Sequence, residues 1–240
     1  VSARSLATAV LAICGILAAA GTAPADVIVN YAPVSSPTQN QPIPASSSAA
    51  GVTASTLAPT VPLQNFQGVG HPPLVGTVLN VAPINMAPPP TSIDNAFATS
   101  TSFSFTVTPP PGKVLDLSSL TFLVAAGGST GTRETGVRSS LTGSTDLLTT
   151  PALGTSFSSE TLNLASNPLF QDVTGPVTFT FAVFTPSGNQ TLEFQNIQLN
   201  GTVTNPPPVP EPASMALWLS LGVFGVRSGW RRWRNRRAAA

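Results

Sequence analysis

The sharpest catalytic pattern in this 240-residue chain is Gly127-Gly128-Ser129-Thr130-Gly131, which fits G-x-S-x-G. In a nucleophile elbow, that sequence lifts a serine hydroxyl out of a strand–turn–helix. An acid and then a histidine follow it along the chain. Here the only histidine, His71, lies upstream, and the residues after Gly131 carry no helical apolar period. A glycine-rich loop between strands accounts for the same residues. His71, set in Gly70-His71-Pro72-Pro73, reads as a loop residue. A single histidine without cysteine does not assemble a zinc site of the usual kind. Lys113 follows Gly112, but Val114 stands where a P-loop needs Ser or Thr.

Carboxylates are the other chemical resource. Asp94, Asp116, Glu134, Asp146, Glu160, Asp172 and Glu193 are scattered singly, mostly near turns. A glycosidase needs two of them held about 5–9 Å apart by the fold, and nothing in their spacing demands it. No D-x-[DN]-x-[DN]-G calcium loop is present. No cofactor or metal is therefore expected, although a jelly roll admits structural calcium on strand-end carboxylates. Arg133, Glu134 and Arg138 form the one charged cluster of the body. Arg133 and Arg138 are the candidate ligand contacts, because a guanidinium grips the carboxylate of an acidic sugar in bidentate fashion. The plainer alternative is a Glu–Arg surface pair. Carbohydrate modules usually offer exposed rings as stacking platforms, and no tryptophan occurs before Trp218.

These side chains must be positioned by strands. Thr101 to Val107 alternates, with Phe103, Phe105 and Val107 on one face and Ser102, Ser104 and Thr106 on the other. That period of two marks a half-buried strand. Pro176 to Phe184 repeats the pattern with Val177, Phe179, Phe181 and Val183. Further strands are predicted over Val27–Tyr31, Leu74–Val81, Leu120–Ala126, Gly136–Leu141 and Glu160–Leu164. Thr191–Asn196 and Ile197–Val203 complete the set, the last two separated by a bulge or bend. Pro- and Gly-rich turns divide them, and no amphipathic helix is evident. The prediction is an all-β domain, an antiparallel two-sheet β-sandwich of jelly-roll type over residues 61–204. An immunoglobulin-like sandwich ranks second, since its Cys…Trp…Cys signature is missing. Residues 26–60 read as a short strand followed by a Pro/Ser/Thr-rich linker or long loop.

Both ends carry targeting patterns. Arg4 precedes an apolar region, Leu6 to Ala20, and Ala23-Pro24-Ala25 supplies small residues before a cleavage ahead of Asp26. Residues 1–25 are thus expected to be a signal peptide. It contains the only cysteine, Cys14, so the mature chain would hold no thiol and no disulfide. At the other end, residues 205–240 comprise a Pro-rich spacer, then Val209-Pro210-Glu211-Pro212, then fourteen residues without charge from Ala213 to Val226. Arg227, Arg231, Arg232, Arg234, Arg236 and Arg237 follow, six of the ten basic residues. A membrane helix over about 213–230 would place Trp230 and Trp233 at the interface and the arginines on the cytoplasmic side. Between the ends, residues 26–212 hold all nine acidic residues against Lys113, Arg133 and Arg138, a formal charge of −6. Such a body has no patch to neutralise phosphates, so nucleic acid is excluded as a partner.

The motif, apolar run and arginine cluster together resemble the PEP-CTERM sorting signal of exported bacterial proteins, over residues 209–237. The resemblance implies recognition and removal of the signal by an exosortase-type membrane enzyme. It also implies transient membrane attachment and a place at the cell surface or in an extracellular polysaccharide matrix. On this basis the sequons Asn189-Gln190-Thr191 and Asn200-Gly201-Thr202 read as chance matches. Three functions are carried forward. The first is a non-enzymatic structural or adhesive surface protein. The second is a carbohydrate-binding module of exopolysaccharide or biofilm. The third is a hydrolase using Ser129 or the scattered carboxylates.

Overall fold

A computed structural model of the chain describes residues 25–33, 39–60, 63, 65–70, 77–82, 90–99, 101–127, 132–185 and 190–206. The signal peptide, the sorting motif with its apolar run and arginines, His71 and Ser129 lie outside the described residues. Among those described, no helix is long and apolar enough to cross a membrane.

The described residues form two antiparallel sheets packed face to face. The strands in chain order are β1 (Asp26–Tyr31), β2 (Ser47–Ser48), β3 (Thr53–Ala54), β4 (Ala58–Pro59), β5 (Asn65–Gly70), β6 (Thr77–Ala82), β7 (Ser102–Thr108) and β8 (Val114–Gly127). They continue with β9 (Glu134–Ser139), β10 (Asp146–Thr149), β11 (Ser158–Asn163), β12 (Val177–Phe184) and β13 (Thr191–Thr204). One sheet runs β11-β8-β13-β1-β2, with β6 also on β13 and β5 on β6; the other runs β10-β9-β12-β7-β3, with β4 also on β7. The first is called the long sheet below, after the 14-residue strands β8 and β13 at its centre; the second is the short sheet.

The alternating phenylalanines do what their period requires. Phe103 stacks on Phe181 with centroids 4.9 Å apart, and Phe122 and Phe194 from the opposing sheet meet Phe181 edge-on at 5.3 and 6.1 Å. Phe105 and Phe179 extend this layer. Each such pair contributes about 0.5–1.5 kcal/mol beyond its buried area. Leu115, Leu117, Leu120, Val124, Ile197 and Leu199 complete the core from the long sheet.

The bulge expected between Thr191–Asn196 and Ile197–Val203 is present, and two other features, residues 39–60 and a short helix, depart from the sequence reading. Thr191–Asn196 and Ile197–Val203 form one strand, β13. The register on β8 slips between Gln195 and Gln198, and Asn196 takes the left-handed φ of 52° that lets the strand bulge without breaking.

Residues 39–60 are packed onto the sandwich and are not a free linker. Ile43 bridges Leu57, and both lie in the core with Val52. Asn40 fixes the entry to the segment, accepting from Leu63 N at 2.9 Å and donating to Leu63 O at 3.0 Å. The Tyr31 hydroxyl donates to Ser55 O at 2.5 Å. Three apolar pegs and a few side-chain hydrogen bonds hold what average composition assigns to a loop.

A helix, α1 (Ile93–Ala98), is also present in the body. Ser92 caps it by accepting from Asn95 N, and Asp94 sits in its first turn. Its six residues are too few to display a period.

Candidate functional site

Arg133 and Arg138 lie on one stretch of chain, but the structure sends them to different places. Arg133 is fully buried at the end of the long sheet where β8 and β13 finish their pairing. Its guanidinium donates to Thr191 O at 2.9 Å and to Gly127 O. Nearby on β13, Glu193 is 5% exposed and accepts from Asn80 Nδ2 at 3.4 Å, while Asn80 also reaches Thr191 Oγ1 at 3.3 Å. Burial pulls the Arg133 pKa below its ordinary value, and the Glu193 carboxylate opposes that pull. The arrangement ties off strand-end carbonyls and leaves Arg133 buried, where the sequence reading has it facing solvent. The reversal has a simple cause: local sequence places an arginine beside a Gly-rich loop but cannot show that the carbonyls of Gly127 and Thr191 converge on it.

Arg138 stays at the surface, on the outward side of β9. Its guanidinium lies over the Phe97 ring, 3.9 Å from the centroid, and pairs with both Asp94 and Asp146. Phe97 and Asp94 come from α1 and Asp146 from β10, so one arginine joins three elements. Its partners are thus Asp94 and Asp146, where the sequence suggested Glu134. The guanidinium is engaged by two carboxylates and a ring.

Asp94 and Asp146 come together as the two acceptors of Arg138. Asp116 accepts from Asp172 N at 2.8 Å and from Thr204 Oγ1 at 2.9 Å, and Glu160 accepts from Ser158 Oγ at 2.7 Å. These are turn and strand-end ties. Among the described residues, no group of three or more His, Cys, Asp or Glu is placed to hold a metal ion. Lys113 is exposed in the turn between β7 and β8.

The outward side of the long sheet is a different kind of surface. The registers of β11, β8, β13, β1 and β2 set Thr161 beside Thr121, Thr121 beside Gln198, Gln198 beside Asn30, and Asn30 beside Ser47. One step along, Asn163, Ser119 and Asn200 form a parallel row. Gln198 Nε2 donates to Asn200 Oδ1 at 2.9 Å, and Asn200 Nδ2 donates to Ser119 Oγ at 3.1 Å. Strands lie about 4.8 Å apart, so the five-strand row is roughly 19 Å across. The eight side chains are half-buried or exposed, all hydrogen-bonding, and all uncharged. Sequence reading overlooked them because each one alone is an ordinary strand residue. The available signal was the outward phase of two strands, Ser119 and Thr121 in β8 and Gln198 and Asn200 in β13, with no charge in either.

No family model matches the chain, and no curated protein matches it. Among solved structures, the chain is similar to TmCBM61 in complex with β-1,4-galactotriose, with TM-score 0.35, 11% identity, and 62% of this chain and 88% of that one covered. It is also similar to the K3 cleaved adhesin domain of Lys-gingipain from Porphyromonas gingivalis w83, with TM-score 0.34, 13% identity, and 64% and 93% covered. A third similarity is to a Stig cyclase from Fischerella sp. TAU, with TM-score 0.29, 12% identity, and 75% and 90% covered.

Proposed function

We propose that this chain is an exported surface or extracellular-matrix protein, a non-catalytic jelly-roll sandwich with a structural or adhesive role. In this reading it is sorted through a PEP-CTERM signal and processed by an exosortase-type enzyme, with membrane attachment only before cleavage. The observation that carries the reading is the order of the C-terminal pattern: Val209-Pro210-Glu211-Pro212, an uncharged run, then six arginines. The limits of the fold support it. Among the described residues the first strand starts at Asp26, just after the expected signal-peptide cleavage, and the last ends at Thr204, just before the Pro-rich spacer. Strand order supports the jelly-roll assignment. The strands run β1-β13-β8-β11 in one sheet and β7-β12-β9-β10 in the other, so most successive strands from β7 onward alternate between sheets.

Mass spectrometry of protein recovered from the cell surface tests the reading. A mature N-terminus at Asp26 and a C-terminus near Pro210 to Pro212 are expected. An intact arginine tail on surface-exposed protein would overturn the sorting claim.

A further inference from the structure

We propose that the outward face of the long sheet is a binding surface for an uncharged polysaccharide, contacted by the row Thr161–Thr121–Gln198–Asn30–Ser47 and its neighbour Asn163–Ser119–Asn200. The proposal goes beyond export and sorting, and it moves ligand contact away from Arg133 and Arg138.

The first argument is charge. The body carries nine acids and three bases, yet the eight side chains of these two rows include none of them. Asp116 and Glu193 lie on the same side of the sheet, beyond the rows at either end. Glu193 is buried, and Asp116 is held by Asp172 N and Thr204. A face kept neutral inside an acidic body suits a partner that brings no charge to match.

The second argument is hydrogen-bonding type. Hydroxyls and carboxamides both donate and accept, as the hydroxyls of a sugar do. The Gln198–Asn200–Ser119 chain of bonds holds three of these side chains in place before any ligand arrives. Ordering cost on binding is thereby reduced.

The third argument is the lack of an apolar centre. A protein partner wants a desolvated apolar or aromatic middle. The large apolar side chains beside the rows are Val27, 39% exposed, and half-buried Leu123. A polyanion wants bases, and the two rows have none. An extended neutral glycan lying across the strands satisfies the face without either. Lacking stacking rings, the contact should be weak per sugar and insensitive to salt.

The outward face of the short sheet makes a control. Thr180 projects there between Ser104 and Arg138, on a face that α1 partly covers.

The test is affinity electrophoresis of the full-length protein in detergent, through native gels cast with dextran, starch, galactan or alginate. Retarded migration in at least one neutral gel, unchanged by added salt, is expected. The double variant Thr121→Ala with Gln198→Ala should weaken retardation roughly tenfold, as loss of one to two net hydrogen bonds implies. Thr161→Ala with Asn163→Ala alters exposed edge positions at the expense of one turn bond, from Ala165 N to Asn163 Oδ1, and should weaken retardation as well while thermal melts stay close to wild type. Thr180→Ala should leave migration unchanged. Free migration in all three neutral gels would overturn the proposal. So would retardation by alginate alone, or equal retardation of wild type and both double variants. The readout is binding by purified protein, so its failure leaves C-terminal sorting standing, and an unprocessed tail leaves the binding face standing.

Discussion

The outward faces of the two sheets obey the same alternation and end in opposite states. On the short sheet, Gly136 and Ala182 occupy outward positions side by side, and α1 lies over them with Ile93, Ala96 and Phe97. Arg138 then fastens α1 to β10 through Asp94 and Asp146. Across most of the long sheet the outward positions hold Thr, Gln, Asn and Ser, and among the described residues no helix is laid on them. Where that sheet does carry small outward residues, Ala125 and Gly127, the buried Arg133 and Glu193 lie nearby. The difference teaches a local rule: a small residue at an outward strand position marks backbone that something else must approach. A hydroxyl or carboxamide there marks backbone left to solvent or ligand.

The largest expected effect removes what both faces stand on. Phe181→Ala takes a ring from the centre of the aromatic layer and should cost about 3–5 kcal/mol in denaturant unfolding, with both faces lost in one transition. Next come two glycines that test the comparison directly. A Cβ at Gly201 would run into the carbonyl oxygen of Asp116, which is backbone and cannot swing aside. A Cβ at Gly136 would meet Ile93 Cγ2 at 2.5 Å and Phe97 Cε2 at 3.0 Å, side chains of a short helix that can lift. Both substitutions should destabilise by about 1–3 kcal/mol, Gly201→Ala the more. Only Gly136→Ala should loosen α1, seen as faster amide exchange in residues 93–98.

Smaller again is a pH effect seated between the sheets. Burial holds the Tyr31 hydroxyl above its ordinary value, and the Ser55 side chain only partly offsets this. Above about pH 10, where a free tyrosine ionises, the unfolded chain loses a proton that the folded chain keeps. Stability must then fall as pH rises through that range. Tyr31→Phe should abolish the alkaline loss while costing about 1 kcal/mol at neutral pH for the missing hydrogen bond. Tyr31 is the chain's only tyrosine, so tyrosinate absorbance reads this one group. Arg138→Met should cost about 1 kcal/mol, because Asp94 is largely exposed and such pairs are screened. Thr121→Ala should fall within about 0.5 kcal/mol of wild type in thermal melts, the smallest effect of the series.

How much of this was legible follows from the range of each interaction. The strand pattern around Phe103, Phe105, Phe179 and Phe181 is local alternation, and it led directly to a two-sheet sandwich. Ile43, Val52 and Leu57 were hidden because three isolated apolar residues disappear in the average of a polar stretch. The helix α1 was hidden because six residues barely exceed one and a half turns. The fate of Arg133 depends on Gly127 and Thr191, the latter 58 residues away in sequence. The binding face is a property of register across five strands, and register is fixed only once the sheet has formed. The terminal patterns, by contrast, are contiguous in sequence, and they lie outside the described residues.

The pairing of Asp26 with Gly201 has a mechanical consequence. The first strand and the last lie side by side and run in opposite directions, so both ends of the folded unit leave from the same end of one sheet. A force applied between those ends opens β1 from β13 one hydrogen bond at a time, like a zip. A force entering only through Thr204 and resisted by a partner on the sheet meets a different geometry. It runs along β13, which is bonded to β8 on one flank and to β6 and β1 on the other, and all of those bonds share the load in shear. A pull on Thr204 alone would thus load the most widely braced strand among the described residues.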